Sequence, residues 1–171
     1  NIPKEFFTWA RKQKVSKFQN LMVEKGIFTT RDIARKVHLM HILNIMTTVI
    51  TDFFNRNEKT ITLLNDYGFD FYDKDEIVAK LEKTADFILK LKLKPKSMWL
   101  NKSNSFSLII ALAKISDQLD NLDSSKFKEN LDTFEINIPS DYKLAATEGV
   151  NNKKERELRN SYIIEIIEQS K

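Results

Sequence analysis

Cysteine is absent from the 171 residues, and histidine occurs only twice. These two shortages exclude disulfides, thiolate metal sites and cysteine nucleophiles, and leave little for acid–base chemistry near neutral pH. A chain without thiols suits a reducing compartment, so a cytoplasmic protein is expected. Three glycines and three prolines are too few to turn a many-stranded β-sandwich. Long apolar runs are lacking as well. The most apolar stretch, "LMHILNIMTTVITDFF" (39–54), is interrupted by His41, Asn44 and Asp52 and is too short for a bilayer. No membrane partner is expected. Carboxylates and histidines nowhere recur at metal-ligand spacing, so neither a metal nor a cofactor is implied.

What remains is a charged chain with helical periodicity. Its net charge of +4 is uneven: residues 1–60 carry eleven Lys/Arg against five Asp/Glu, and residues 101–171 carry ten against twelve. A basic amino-terminal third suits phosphate backbones or an acidic partner, and it equally suits an ordinary solvated helical surface. The chain starts at Asn1 rather than methionine, which reads as a fragment of a longer protein.

The pattern predicts an all-α, irregular bundle of about seven or eight helices with no sheet, forming one domain over residues 1–171. One helix or two short ones cover 3–24 and end at Gly26. "TTRD" places an N-cap at Thr29 or Thr30 with Asp32 in the first turn. The next helix, 30–55, is the longest and most apolar and is expected at the centre of the bundle. Further helices are expected at 57–66 and 75–93. An aromatic-acidic turn at Gly68 lies between them, Asp73 or Asp75 supplies the cap, and Pro95 is the break. Ser103 or Ser105 is the expected cap of "FSLIIALAKISDQL". "LDSSKFKENLDTF" gives another helix, "INIPSDY" a connector with a capping turn near Ser140 or Asp141, and 151–169 the last helix.

Three groups of residues carry candidate chemistry. Arg35 and His41 stand at the Arg-x(4–6)-His spacing of HEPN ribonucleases, in which histidine moves a proton and arginine holds a phosphate. His41, Asn44, Thr48 and Asp52 also fall on one stripe of a helix, as a solvated edge or an interhelical seam would. Lys90, Lys92, Lys94 and Lys96, then Trp99 and Lys102, are the densest basic-aromatic segment. The lysines suit phosphates and the indole suits a base. The same lysines also suit a helix C-terminus, with Trp99 anchored in the core. The third group is in "GVNNKKERELRNSYIIEII" (149–167). At 100° per residue Arg159 lies in the middle of the face formed by Tyr162, Ile163 and Ile166. Asn152, Glu155 and Arg156 share that inward side, while Lys153, Lys154 and Glu157 point away. An inward arginine needs a carboxylate, backbone carbonyls or a bound anion. Glu155 sits at the i,i+4 distance for an ion pair within the helix.

Laid end to end, these segments resemble the helical region that follows the ParB-like nuclease-fold domain in proteins related to the N-terminal part of GmrSD modification-dependent restriction enzymes. The order matches through "TTRDIARKVHLMHILNIM", "SFSLIIALAKI" and "YKLAATEGVNNKKERELRNSYIIEII". In the last of these, Tyr142, Ala145, Ala146, Asn151, Asn152, Arg156, Arg159, Ile163 and Ile166 carry most of the likeness. The Asp-Gly-Gln-Gln-Arg run of the family's nuclease-like domain does not occur here, so no catalytic residue carries over. The resemblance implies a non-catalytic helical domain of a prokaryotic restriction or phage-defence protein. Its first partner would be the N-terminal nuclease or nucleotide-hydrolysing domain of the same protein. DNA binding and a homo-oligomer are both compatible with that role.

Overall fold

In the computed structural model, residues 17–67 and 74–171 are described. Residues 3–16 of the helical region expected over 3–24, the turn at Gly68 and the cap at Asp73 lie outside them. Among the described residues there are nine α-helices, two short 3-10 turns and no strand. The helices are α1 (Lys17–Glu24), α2 (Thr30–Ala34), α3 (Val37–Thr51), α4 (Glu58–Tyr67) and α5 (Lys74–Lys90). They continue with α6 (Lys102–Ala113), α7 (Ser124–Ile136), α8 (Ser140–Ala145) and α9 (Lys153–Glu168). The architecture is an all-α irregular bundle. No helix among the described residues is long and apolar enough to cross a membrane.

Four local expectations need correction. The single helix over 30–55 is two helices. α2 opens with a reciprocal capping box, Thr29 and Asp32 each bonding the other's backbone N–H, and stops one turn later. Lys36 then takes the left-handed conformation (φ 59°), and α3 starts on a new axis. Neither glycine nor proline marks this break, so the apolar periodicity runs straight through it. Helix α5 ends at Lys90, before Pro95, because Leu91 turns into the core and Lys92 adopts φ 52°. The cap of α6 is Asn101, whose side chain accepts from the Asn104 N–H, rather than Ser103 or Ser105. The capping turn expected near Ser140 or Asp141 falls one residue earlier, with Pro139 as the N-cap of the short helix α8.

The centre of the bundle is α6 rather than α3. Every residue from Asn104 to Ala113 is buried, and the helix packs against α3, α5 and α9. A helix apolar all round must be enclosed all round, which is why its neighbours surround it. Trp99, in the 3-10 turn Met98–Leu100 just before it, is fully buried and donates Nε1–H to the Leu131 carbonyl at 3.2 Å. Its ring lies 5.6 Å from Phe134 and 6.2 Å from Tyr142. Tyr142 in turn donates its hydroxyl to Asn104 at 2.8 Å. This aromatic knot fixes the N-terminus of α6 against α7 and α8.

Candidate functional site

The inward side of α9 leads to the site. Arg156 and Arg159 are 2 % and 1 % exposed, while Lys153, Lys154 and Glu157 are exposed. Arg159 donates from Nε to Ser107 Oγ (2.9 Å), from Nη1 to the Ala145 carbonyl (2.6 Å) and from Nη2 to the Val150 carbonyl (2.9 Å). One guanidinium thus joins α9, the middle of α6, the end of α8 and the loop between α8 and α9. The Ala145 carbonyl is one of the acceptors that a helix C-terminus leaves without a partner, and a cation is favoured there.

Arg156 makes the second junction. Its Nη1 donates to the carbonyls of Phe54 (2.6 Å) and Arg56 (3.1 Å), and its guanidinium lies 5.1 Å from the Phe54 ring and 4.7 Å from the Phe106 ring. The loop it holds is strained, with Asp52 at φ 129° and Arg56 at φ 46°. Two further bonds tie the same loop to the start of α9. The Arg56 N–H donates to the Asn151 carbonyl (2.7 Å), and the Lys153 N–H donates to Asn55 Oδ1 (2.7 Å). Gly149 (φ 58°) shapes the approach: a Cβ there would lie 2.7 Å from Asn152 Nδ2. Asn152 and Glu155 are half-buried beside it.

The expected internal ion pair is not formed. Among the described residues no carboxylate lies within ion-pair distance of Arg156 or Arg159, and Glu155 Oε2 is buried without a hydrogen-bond partner. Backbone carbonyls and one serine hydroxyl take the place of a carboxylate. Burial pushes the Arg156 pKa down to about 10, with Arg159 adding to the effect, and burial also lowers that of Arg159. Arginine keeps its proton in proteins, so two positive charges sit inside the fold with no carboxylate in ion-pair contact among the described residues.

A cavity of about 590 Å³ lies next to Arg159. Its polar wall is His41, Asn101, Lys102, Ser103, Asn151 and Arg159, so it joins the start of α6, α3 and the loop before α9. His41 sits between Phe28 (ring centroids 5.2 Å apart) and Phe106 (5.4 Å), and its Nε2 is buried with no partner among the described residues. Burial first, then the charges of Arg156 and Lys102, push its pKa down to about 3. It is therefore neutral across the physiological range and unsuited to acid–base work near pH 7. Arg35, the cap at the end of α2, is exposed, and it is not among the charges that act on His41.

The other candidates separate. Asn44 and Thr48 are buried in a seam, not on a solvated edge: Asn44 donates to Asn57 Oδ1 (2.7 Å) and accepts from Thr60 Oγ1 (2.7 Å) across α3 and α4. Asp52, on the same stripe, is exposed and paired with Lys114. In the basic-aromatic segment, Trp99 is enclosed and has no face to offer a base. Lys90 pairs with Asp86 and Lys102 with Asp32, each at 2.8 Å. Lys92, Lys94 and Lys96 are exposed, with no ion-pair partner among the described residues. Among the described residues no group of histidines and carboxylates could hold a metal ion.

Sequence reasoning missed Ser107 and the cap Asn101. A signal for Ser107 existed: it stands beside the aliphatic run that fills the rest of the helix, and an inward hydroxyl there needs a polar neighbour. Comparison with protein-family models, curated proteins and solved structures finds no match to this chain.

Proposed function

We propose that this chain is a non-catalytic helical domain of a cytoplasmic, prokaryotic restriction or phage-defence-type protein. In this reading it supports a nuclease or nucleotide-hydrolysing domain of the ParB-like nuclease fold in the same protein. The observation that carries the reading is how the two inward arginines are used. Both are engaged with backbone carbonyls of the chain's own loops, which holds shape and leaves the reacting to other residues. The sequence resemblance supplies the rest. The test is turnover by the isolated chain against single-stranded RNA, duplex DNA and nucleoside triphosphates. Intact substrates after long incubation are expected. RNA cleavage that disappears in His41→Ala would instead establish the HEPN-like ribonuclease reading.

A second reading, a nucleic-acid-binding module, is supported by Lys92, Lys94 and Lys96, which are exposed and close together at the end of α5. Such a module binds through phosphates, without base stacking by Trp99. Its affinity for duplex DNA falls steeply with salt, and exchanging these lysines for glutamine flattens that dependence. Binding unchanged by the exchanges, or no binding at low salt, rejects it.

A further inference from the structure

We propose that the cavity between α3, α6 and the loop before α9 binds a small phosphate monoester, its phosphate at the start of α6 and its apolar body against Val37 and Phe106. Four observations converge on an anion. Arg159 is 1 % exposed, lines the cavity and uses three of its five N–H donors, with no carboxylate in contact. The first two backbone N–H groups of α6, on Lys102 and Ser103, have no acceptor among the described residues. The third, on Asn104, is taken by the Asn101 side chain. Lys102 lines the cavity too, its ammonium 2.8 Å from Asp32. His41 lines the same cavity with a buried Nε2 that no described residue satisfies. A polar group left so inside a protein is a strong sign of a missing partner.

Size and lining narrow the chemistry. About 590 Å³ falls within the range of small-molecule sites and far exceeds what one phosphate fills. Ile27, Val37, Phe106 and Val150 make the remaining wall apolar, which suits an aromatic or aliphatic ester group. One feature opposes the ligand. Asp32 lies 2.8 Å from Lys102 and, held well below the usual carboxylate range by that lysine and by Thr29, stays charged. The anion must share Lys102 with it, so Asp32 sets the affinity. The site stands on this geometry alone and is independent of the domain's supporting role.

Calorimetry and amide NMR on the full chain, with phenyl phosphate, inorganic phosphate and phenol as probes, test the assignment. Phenyl phosphate is expected to bind more tightly than inorganic phosphate, phenol not at all, and the Lys102 and Ser103 amides to shift on titration. Lys102→Gln weakens phenyl phosphate about tenfold or more, as loss of one charged hydrogen bond should. Lys102→Pro, which suits the first position of a helix and removes the N–H as well, weakens it further. Asp32→Asn strengthens binding several-fold, an effect that a purely structural Lys102–Asp32 pair would not produce. Val37→Trp, at a partly exposed position on the rim, abolishes binding while the fold survives. Unshifted Lys102 and Ser103 amides, equal affinity in Val37→Trp, or phenyl phosphate no tighter than inorganic phosphate would each overturn the proposal.

Discussion

Two stretches of this chain are rich in positive charge, 90–102 and 149–159, and the fold treats them in opposite ways. In the first, the lysines remain in water or in exposed pairs, and the aromatic residue goes inside. In the second, lysines again face outward, yet two arginines only a few residues away are among the most enclosed side chains in the molecule. The difference lies in the head groups. An ammonium is a strongly hydrated point charge. A guanidinium is flat, less hydrated, and offers a fork of donors that reaches several carbonyls at once. Arg159 bonds three acceptors from three parts of the chain, each through a different nitrogen, whereas a lysine would have to reach all three from one. Basic composition alone therefore does not locate a phosphate-binding surface; the type of cation and its helical angle decide.

The sharpest way to break this contrast is to remove one cation from each kind of environment. Arg159→Ala leaves three acceptors and a void, and is expected to destabilise the fold by roughly 3–5 kcal/mol. For a domain of this size that is about 10 °C or more in Tm. Arg159→Lys restores less than half of the loss, whereas Lys153→Ala shifts the melt by less than about 0.5 kcal/mol. Equal small effects in chemical denaturation would mean that the buried arginines are not the junction described.

Acidification gives the next largest effect, because the unfolded chain accepts a proton on His41 that the fold refuses. His41 titrates near 6.5 when unfolded but near 3 in the fold. The unfolded chain therefore binds the extra proton between these values, so stability falls as pH drops from about 6.5 toward 3. The slope is about 1.4 kcal/mol per pH unit at most. His38, whose pKa burial also lowers, acts in the same direction. Asp32, with its lowered pKa, keeps its full contribution above its unfolded value of 3.8 and loses it only below, outside the upper part of this window. Denaturation midpoints at pH 7 and pH 4.5 should differ clearly in the native chain and much less in His41→Phe; parallel losses in both would remove His41 from the account.

A smaller loss, about 1–2 kcal/mol, is expected of Gly149→Ala, which meets both a positive φ and a close side chain. Thermal melts of this variant and of a Gly26→Ala control separate the two causes. Gly26 has φ 77° but open space around it, so it reports the backbone effect alone. Smallest of all, exchanging Lys92, Lys94 and Lys96 for glutamine leaves the Tm within about 1–2 °C.

Helical angle alone makes the direction of α9 legible in the residue pattern: Arg159 lies among isoleucines at 100° per residue, and it is buried there. Its partners are not legible in the same way. Any residue can supply a carbonyl, so the acceptors from Phe54, Arg56, Ala145 and Val150 leave no trace in residue type, whereas Glu155 advertises a pair it does not form. The break at Lys36 is hidden for a related reason. Arg35 caps α2 and the left-handed Lys36 follows it, without the glycine or proline that local rules look for. The site cavity is illegible too, because Lys102, His41 and Arg159 are separated by dozens of residues and meet only once α6 is enclosed.

The bond from the Lys153 N–H to Asn55 spans 98 residues of sequence. A helix whose own Asn152 side chain does not cap it receives its cap from a loop formed far earlier in the chain. The cap of the last helix is therefore made only when this segment lies against the first third of the chain. It also makes the Lys153 amide a reporter on the whole molecule. That proton exchanges with solvent when the two ends part, so its exchange rate measures how often the bundle opens between its first third and its last helix.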